Sequence, residues 1–253
     1  MDFLEKMRKK VESNSRKTPG LVVRGSKPLS LSEHIGRKNG LIGEFKRATP
    51  TRKFNLPFSP FEIARIYERN GFSAVSVVVE EEFFLTTNQD LAEVRRATCL
   101  PVLKKGFFLH PDEVVEAYNQ GADSILLIAG FLGREKLVEL LNKCEELSLE
   151  PIVEIHSFEE MEIIADLSIG IVGINNRDLK SLKVDLGRGE ALLREAKDRN
   201  IGRWHIIESG LKTAEDLRYF RQLGADGFLI GSAFMEAPDP EAKIKEFIKG
   251  LAQ

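Results

Sequence analysis

The chain has 253 residues, 42% of them hydrophobic and 30% charged, a globular balance that excludes a disordered, collagenous or low-complexity polymer. Lys and Arg total 37 against 39 Asp and Glu, so the formal net charge of -2 supplies no global field for nucleic acid or anionic lipid. Any bound anion must be held by a local site.

The N-terminal run MDFLEKMRKKVESNSRK breaks its apolar pairs with charge, unlike a secretory signal, and no stretch approaches the ~20 apolar residues of a membrane span. A cytoplasmic protein with no membrane or nucleic-acid partner is expected. Cys99 and Cys144 are too few for a disulfide scaffold or a thiolate zinc site, and both read as small buried residues. Residues 1–40 hold two weak helical patterns, FLEKMRKKVES and LSEHIGRKNG. They are read either as an extension packed on the remainder or as a cover over a site.

From residue 41 onward, short apolar runs alternate with amphipathic ones. The strand-like runs are LIGEF (41–45), AVSVVV (74–79), LPVLK (100–104), SILLI (124–128), PIVEI (151–155), GIVGI (170–174), WHIIE (204–208) and GFLIG (227–231). The helical runs between and after them are PFEIARIYERN, DLAEVRRA, PDEVVEAYNQ, REKLVELLNKCEEL, FEEMEIIADL, GRGEALLREAKDRN, AEDLRYFRQL and PEAKIKEFIKGL. Caps at Ser59, His110, Ser157 and Thr213 open several helices, and glycines such as Gly121 and Gly224 close others. The strands are too apolar to alternate, as expected when both faces are covered. Eight β-then-α units without a long linker predict an α/β fold: a single (β/α)8 TIM barrel domain over 1–253, with 1–40 as an N-terminal helical extension.

In such a barrel the site forms where strands run into the loops that follow them. Polar residues collect there: Glu44-Phe45-Lys46, Glu80, Lys104-Lys105, Glu154, Asn175-Asn176-Arg177, Glu208-Ser209-Gly210 and Gly231-Ser232. Residues two apart on a strand share a face, so Glu44 with Lys46, and Asn175 with Arg177, can point into the mouth together. A salt-bridged rim would explain one such residue; seven strand ends argue for a site. Paired Gly and Ser after the last two strands mark the loops where these barrels commonly bind phosphate. His34, His110, His156 and His205 share no metal-ligand spacing, His156 reading as the approach to a helix, and no metal is expected. Glu80-Glu81-Glu82 reads as a solvated loop, although Glu80 itself can face the mouth. Phe83-Phe84, Phe107-Phe108 and Phe131 follow consecutive strands and can wall an apolar pocket or simply pack against helices.

Eight segments, GEFKRATPT (43–51), SVVVEEEFF (76–84), LPVLKKGF (100–107), GADSILLI (121–128), VEIHSFEEM (153–161), GINNRDL (173–179), IESGL (207–211) and FLIGSAFM (228–235), occur in order. On these the chain resembles the indole-3-glycerol phosphate synthase family from about residue 30 to its C-terminus. The resemblance implies a barrel with an N-terminal helical extension over the mouth, no cofactor, and a small phosphorylated aromatic substrate. It implies Lys105 rather than Lys104 as general acid, Glu154 as general base, and Glu44, Lys46, Asn175 and Glu208 as polar partners. It further implies Arg177 as a strut at the substrate, Thr49, Glu80 and Phe107 as substrate contacts, and Ser209, Gly210, Gly231 and Ser232 as a phosphate cradle. A monomer or weak homodimer is expected.

The chain departs from the family pattern at Thr49 and Thr51 (usually serines), Val79 (usually Thr), Thr87-Asn88 (usually Gly-Ser) and Gly106, where the family has Asp after the lysine. The last removes a carboxylate beside Lys105 and so raises a rival reading, a phosphate-ligand-binding paralogue of weak or no activity; a Schiff-base aldolase on the same barrel, with Lys105 attacking a carbonyl, is a second rival. The sister isomerase barrel lacks support, because no cysteine ends the first strand.

Overall fold

A computed structural model describes residues 3–13, 19–179 and 181–251. After α1 (Phe3–Ser13) and α2 (Leu31–Arg37) come β1 (Leu41–Phe45), a hairpin of β2 (Ala48–Thr49) and β3 (Arg52–Lys53), α3 (Pro60–Arg69), β4 (Ala74–Val78), α4 (Asn88–Ala97), β5 (Val102–Lys105) and α5 (Pro111–Asn119). Then follow β6 (Ser124–Ile128), α6 (Ala129–Glu146), β7 (Ile152–Ile155), α7 (Phe158–Ile164), β8 (Ile171–Asn175), α8 (Leu186–Asp198), β9 (Trp204–Glu208), α9 (Ala214–Gln222), β10 (Gly227–Ile230), α10 (Ser232–Met235) and α11 (Pro240–Leu251). Eight parallel strands close in the order β1-β10-β9-β8-β7-β6-β5-β4. This is the (β/α)8 barrel read from the alternation, and its strands are buried on both faces.

The differences from the sequence reading have local causes. The third strand starts at Val102 and reaches Lys105, because Pro101 has no N–H to donate and contributes only its carbonyl, to Val75 N at 3.0 Å. Helix α6 begins at Ala129 rather than at residue 134, interrupted at Gly133 (φ 70°), a break that hid its first turn. The β2–β3 hairpin and the four-residue α10 are too short to show a period. Cys144 is buried, but Cys99 is exposed: it sits in the turn before β5, held only through its backbone N–H to Glu68 Oε1 at 2.7 Å.

The described part of the N-terminal segment serves both ends of the barrel; residues 1–2 and 14–18 of the expected extension lie outside the described residues. Helix α1 lies at the C-terminal rim, with Phe3 edge-on to Phe83 and Phe107 and Lys10 Nζ 2.6 Å from Glu80 Oε1. Helix α2 sits at the opposite end, where Glu150, just before β7, accepts from Ser30 Oγ and Ser32 N at 2.8 and 2.7 Å. Among the described residues no helix is long and apolar enough to cross a membrane.

Candidate active site

The strand ends bring Glu44, Lys105, Glu154 and Asn175 into the wall of one cavity of about 910 Å³ at the C-terminal mouth, with Glu208 buried beside Lys105. Lys105 is its centre. Its Nζ lies 2.5 Å from Glu208 Oε2, 3.2 Å from Glu154 Oε2 and 3.9 Å from Glu44 Oε2, and Lys46 Nζ holds the other Glu44 oxygen at 2.5 Å. All three carboxylates are buried. The ammonium thus fills the middle of the acidic cluster, the place a cation would otherwise occupy. Lys104, of opposite parity, points outward to Gln120 Oε1 at 2.8 Å over the Phe108 ring, and burial pushes its ammonium down to about 8.

Burial alone would strip the charge from Lys105, but Glu154, Glu208 and Glu44 outweigh it and hold the ammonium firmly protonated. Burial would likewise protonate Glu154; Lys105 and then His156 reverse this and keep it ionised. Glu208 goes the other way. Burial and the neighbouring Glu154 charge raise it further than Lys105 lowers it, so of the two coupled carboxyls Glu208 is the more readily protonated. Glu154 Oε2 and Glu208 Oε1 are buried and accept from no other protein donor, which fits a proton held between these two carboxyls beside Lys105.

Two glycines make the cluster possible. A Cβ at Gly173 would lie 2.5 Å from Glu208 Oε1, and one at Gly231 would lie 2.6 Å from Glu44 Oε1, so any larger residue would displace a carboxylate. His156 was missed by the search for metal spacing. Its Nε2 lies 3.1 Å from Glu154 Oε1 and its Nδ1 2.9 Å from Glu160 Oε2, and these carboxylates overcome burial to raise it to about 9. The signal was available: His156 stands two residues after Glu154, the same parity rule that joins Glu44 to Lys46, and was obscured by its place just before the Ser157 cap.

One side of the cavity is aromatic, with Phe3, Phe84 and Phe107 in its wall and Phe131 behind Phe107 at a ring separation of 5.4 Å. Thr49 lines it too, within a hydroxyl pair with Thr51 at 3.3 Å. Glu80, expected as a substrate contact, is engaged elsewhere: it accepts from Lys10 Nζ and from the N–H groups of Glu82, Phe83 and Phe84, and it does not line the cavity. That carboxylate folds the loop after β4, which explains why it is buried while its neighbours Glu81 and Glu82 are exposed.

Arg177 lines the opposite side and donates through Nη1 to Leu182 O at 2.7 Å, bracing the loop before α8, while Asn175 Oδ1 accepts from Arg177 N at 2.9 Å. Beyond it lie Ser209 and Gly210, with φ of 65° and 77°, and Gly231 and Ser232, where α10 begins. A Cβ on Gly210 would meet Val184 Cγ1 at 2.3 Å, so this turn requires glycine for space as well as for φ. The N–H groups opening α10 have no partners within the helix, and Lys212, Lys243 and Arg52 line the same end. Lys212 lies in a loop, Lys243 on α11 and Arg52 on β3 of the hairpin, all outside the barrel-strand ends where sequence reasoning looked.

Gly106 also lines the cavity. A Cβ there would meet only Val79 O at 3.4 Å and the Phe108 ring at 3.8 Å, so a side chain is sterically tolerated, and Lys105 already has three carboxylate neighbours without one. We expect Gly106→Asp to fold and to change kcat only slightly; a large gain in the rate of indole formation would show that Lys105 is under-held in this chain.

Comparison with known proteins identifies the family. The family model described as indole-3-glycerol phosphate synthase matches residues 4–247. An indole-3-glycerol phosphate synthase of Aquifex aeolicus is 38% identical over 208 residues, covering 82% of this chain and 80% of the relative. One from Dehalococcoides mccartyi (strain ATCC BAA-2266) is 39% identical over 217 residues, covering 84% and 83%. Among solved structures, 3-hexulose-6-phosphate synthase from Salmonella typhimurium superposes with a TM-score of 0.66 at 12% identity over 85% of this chain and 99% of that one, a likeness of fold alone. With the family model spanning nearly the whole chain and relatives this similar, the chain belongs to the indole-3-glycerol phosphate synthase family.

Proposed function

We propose that Lys105 and Glu154 act as acid and base in the reaction of this family: conversion of 1-(2-carboxyphenylamino)-1-deoxyribulose 5-phosphate to indole-3-glycerol phosphate, CO2 and water. The enzyme is a carboxy-lyase of tryptophan biosynthesis. The observation that carries the role assignment is one ammonium within 2.5–3.9 Å of three buried carboxylates, between an aromatic wall and a glycine-lined cationic end.

The chemistry follows from the charges. As the ring carbon bearing the carboxylate attacks the ketone carbon, the ketone oxygen gains electrons and takes a proton from Lys105 Nζ. Carbon dioxide then leaves, its bonding pair returning to the ring. Dehydration needs a base to remove a proton and an acid to help the hydroxyl depart; Glu154, kept ionised by Lys105 and His156, supplies the first. Glu208, the more readily protonated of the two carboxyls and 2.5 Å from Lys105 Nζ, is placed to recharge Lys105. Lys46 and Arg177 line the cavity where the substrate carboxylate would be steadied before it is lost. An exposed unpaired Cys99 fits a cytoplasmic enzyme.

The Schiff-base reading is disfavoured by the same cluster. An amine nucleophile must be unprotonated, and three carboxylates hold Lys105 in its ammonium form. Borohydride trapping of substrate on Lys105 would reverse that judgement. The primary test is the appearance of indole fluorescence when the purified protein meets the substrate. In the same assay, inorganic phosphate is expected to compete for the end of the cavity at Gly210, Gly231 and Ser232, raising KM with kcat unchanged; a KM indifferent to high phosphate would remove the cradle assignment.

A further inference from the structure

Asn176 follows Asn175, so its side chain leaves the barrel on the opposite face and enters the layer between β8, β9 and α8. It is fully buried. Its backbone N–H donates to Glu208 O at 2.9 Å and its side-chain Nδ2 donates to Ser209 O at 2.8 Å. From the other side, its own carbonyl accepts from Asp185 N at 2.9 Å and Arg188 Nη2 at 3.1 Å, at the capped start of α8. The helix is shaped to admit this amide: a Cβ on Gly189 would fall 1.6 Å from Asn176 Oδ1.

What the amide grips is unusual. Ser209 is a non-glycine residue at φ 65°, followed by Gly210 at φ 77°. A side chain in the left-handed region is strained, and such a conformation persists only where the surroundings impose it. The backbone N–H groups of such a turn can form a concavity suited to an anion. Ser209 and Gly210 line the cavity, whereas Asn176 does not. The side chain of Asn176 therefore fixes from behind the carbonyl of the very residue whose strain shapes the turn.

We infer that Asn176 is a positioning residue that holds the Ser209–Gly210 turn in its anion-binding conformation, and so sets affinity for the phosphate monoester of the substrate without touching it. The inference rests on the reading of that turn as the phosphate end of the site. Asn176→Asp keeps the shape but replaces the Nδ2 donor by an oxygen facing Ser209 O; Asn176→Ala removes the grip altogether. Both are expected to raise KM for the phosphorylated substrate and the inhibition constant of inorganic phosphate by about tenfold or more, while kcat changes far less. With the dephosphorylated substrate, the variants and the wild-type protein should have the same kcat/KM, which a general loosening of the barrel would not produce. An unchanged inhibition constant for phosphate in Asn176→Asp, or an equal loss with the dephosphorylated substrate, overturns the inference. Calorimetric titration of inorganic phosphate into wild type and Asn176→Asp tests it without turnover. If the wild-type protein makes no indole yet its phosphate affinity falls in the variant, the functional reading fails while this one stands.

Discussion

Lys105→Ala is expected to lower kcat by about 10²- to 10⁴-fold, the usual worth of a positioned proton donor, and to do so with little change in KM. The loss should fall toward the upper part of that range, because the substitution removes more than the acid. Lys105 is the first neighbour that keeps Glu154 ionised against burial, and it shares Glu208 with it. Without the ammonium, Glu44, Glu154 and Glu208 face one another with Lys46 and Arg177 beside Glu44 and His156 beside Glu154, so the base loses charge together with the acid. Lys105→Met, which keeps most of the apolar stem, should be as inactive as the alanine variant if charge rather than packing is what matters. The measurement is indole fluorescence from substrate, with circular dichroism to check that both variants fold. Turnover near that of the wild-type protein would sink the assignment of Lys105.

What the sequence made visible here was parity and position along the chain. Eight alternating units are a long-range regularity, and the closed order of eight parallel strands follows from them. Strand ends then placed Glu44, Lys46, Lys105, Glu154, Asn175 and Glu208 at one mouth, because a period of two leaves no freedom about which side a residue takes once one neighbour is fixed. For Lys104 and Lys105 no neighbour fixed it; the apolar residues on both faces of that strand look alike, and only the family resemblance separated them. Features made by contacts between distant segments were not legible. Glu80 is drawn away from the mouth by three backbone N–H groups of its own loop and by Lys10 of α1, some 70 positions earlier. Lys212 and Lys243 line the end of the cavity beside Gly210, Gly231 and Ser232 from a loop and from α11, where a lysine in the sequence has no parity to interpret. Whether the N-terminal segment packs or covers was likewise undecidable in sequence, and the structure has it do both, with α1 at the rim and α2 at the far end.

The far end carries the second large effect. Asp123, just before β6, is buried and accepts from Arg24 Nη2 and Leu29 N at 3.0 Å each, from Arg95 Nη1 at 2.6 Å and from Val102 N at 2.9 Å. One carboxylate thus ties the strap ahead of α2, the end of α4 and the start of β5 to the closing strands. Replacing it by alanine leaves two backbone N–H groups without their acceptor and takes the counter-charge from two guanidiniums, which keep the carbonyls of Ala122, Thr98 and Leu100, in a place water reaches poorly. Removing one partner of a buried pair costs about 3–5 kcal/mol, far more than the loss of a solvent-screened exposed pair such as Arg134 with Asp166. For a chain of this size Asp123→Ala should therefore lower Tm by about 6–20 °C. Arg24→Ala, which leaves Asp123 paired with Arg95 and both backbone donors, should lower it by much less, and the double variant should be little worse than Asp123→Ala alone, since the two residues share one interaction. Thermal unfolding followed by circular dichroism distinguishes the cases: a Tm for Asp123→Ala within about 2 °C of the wild-type value would mean that water or a local shift replaces the carboxylate, and that the strap is held by its apolar contacts instead.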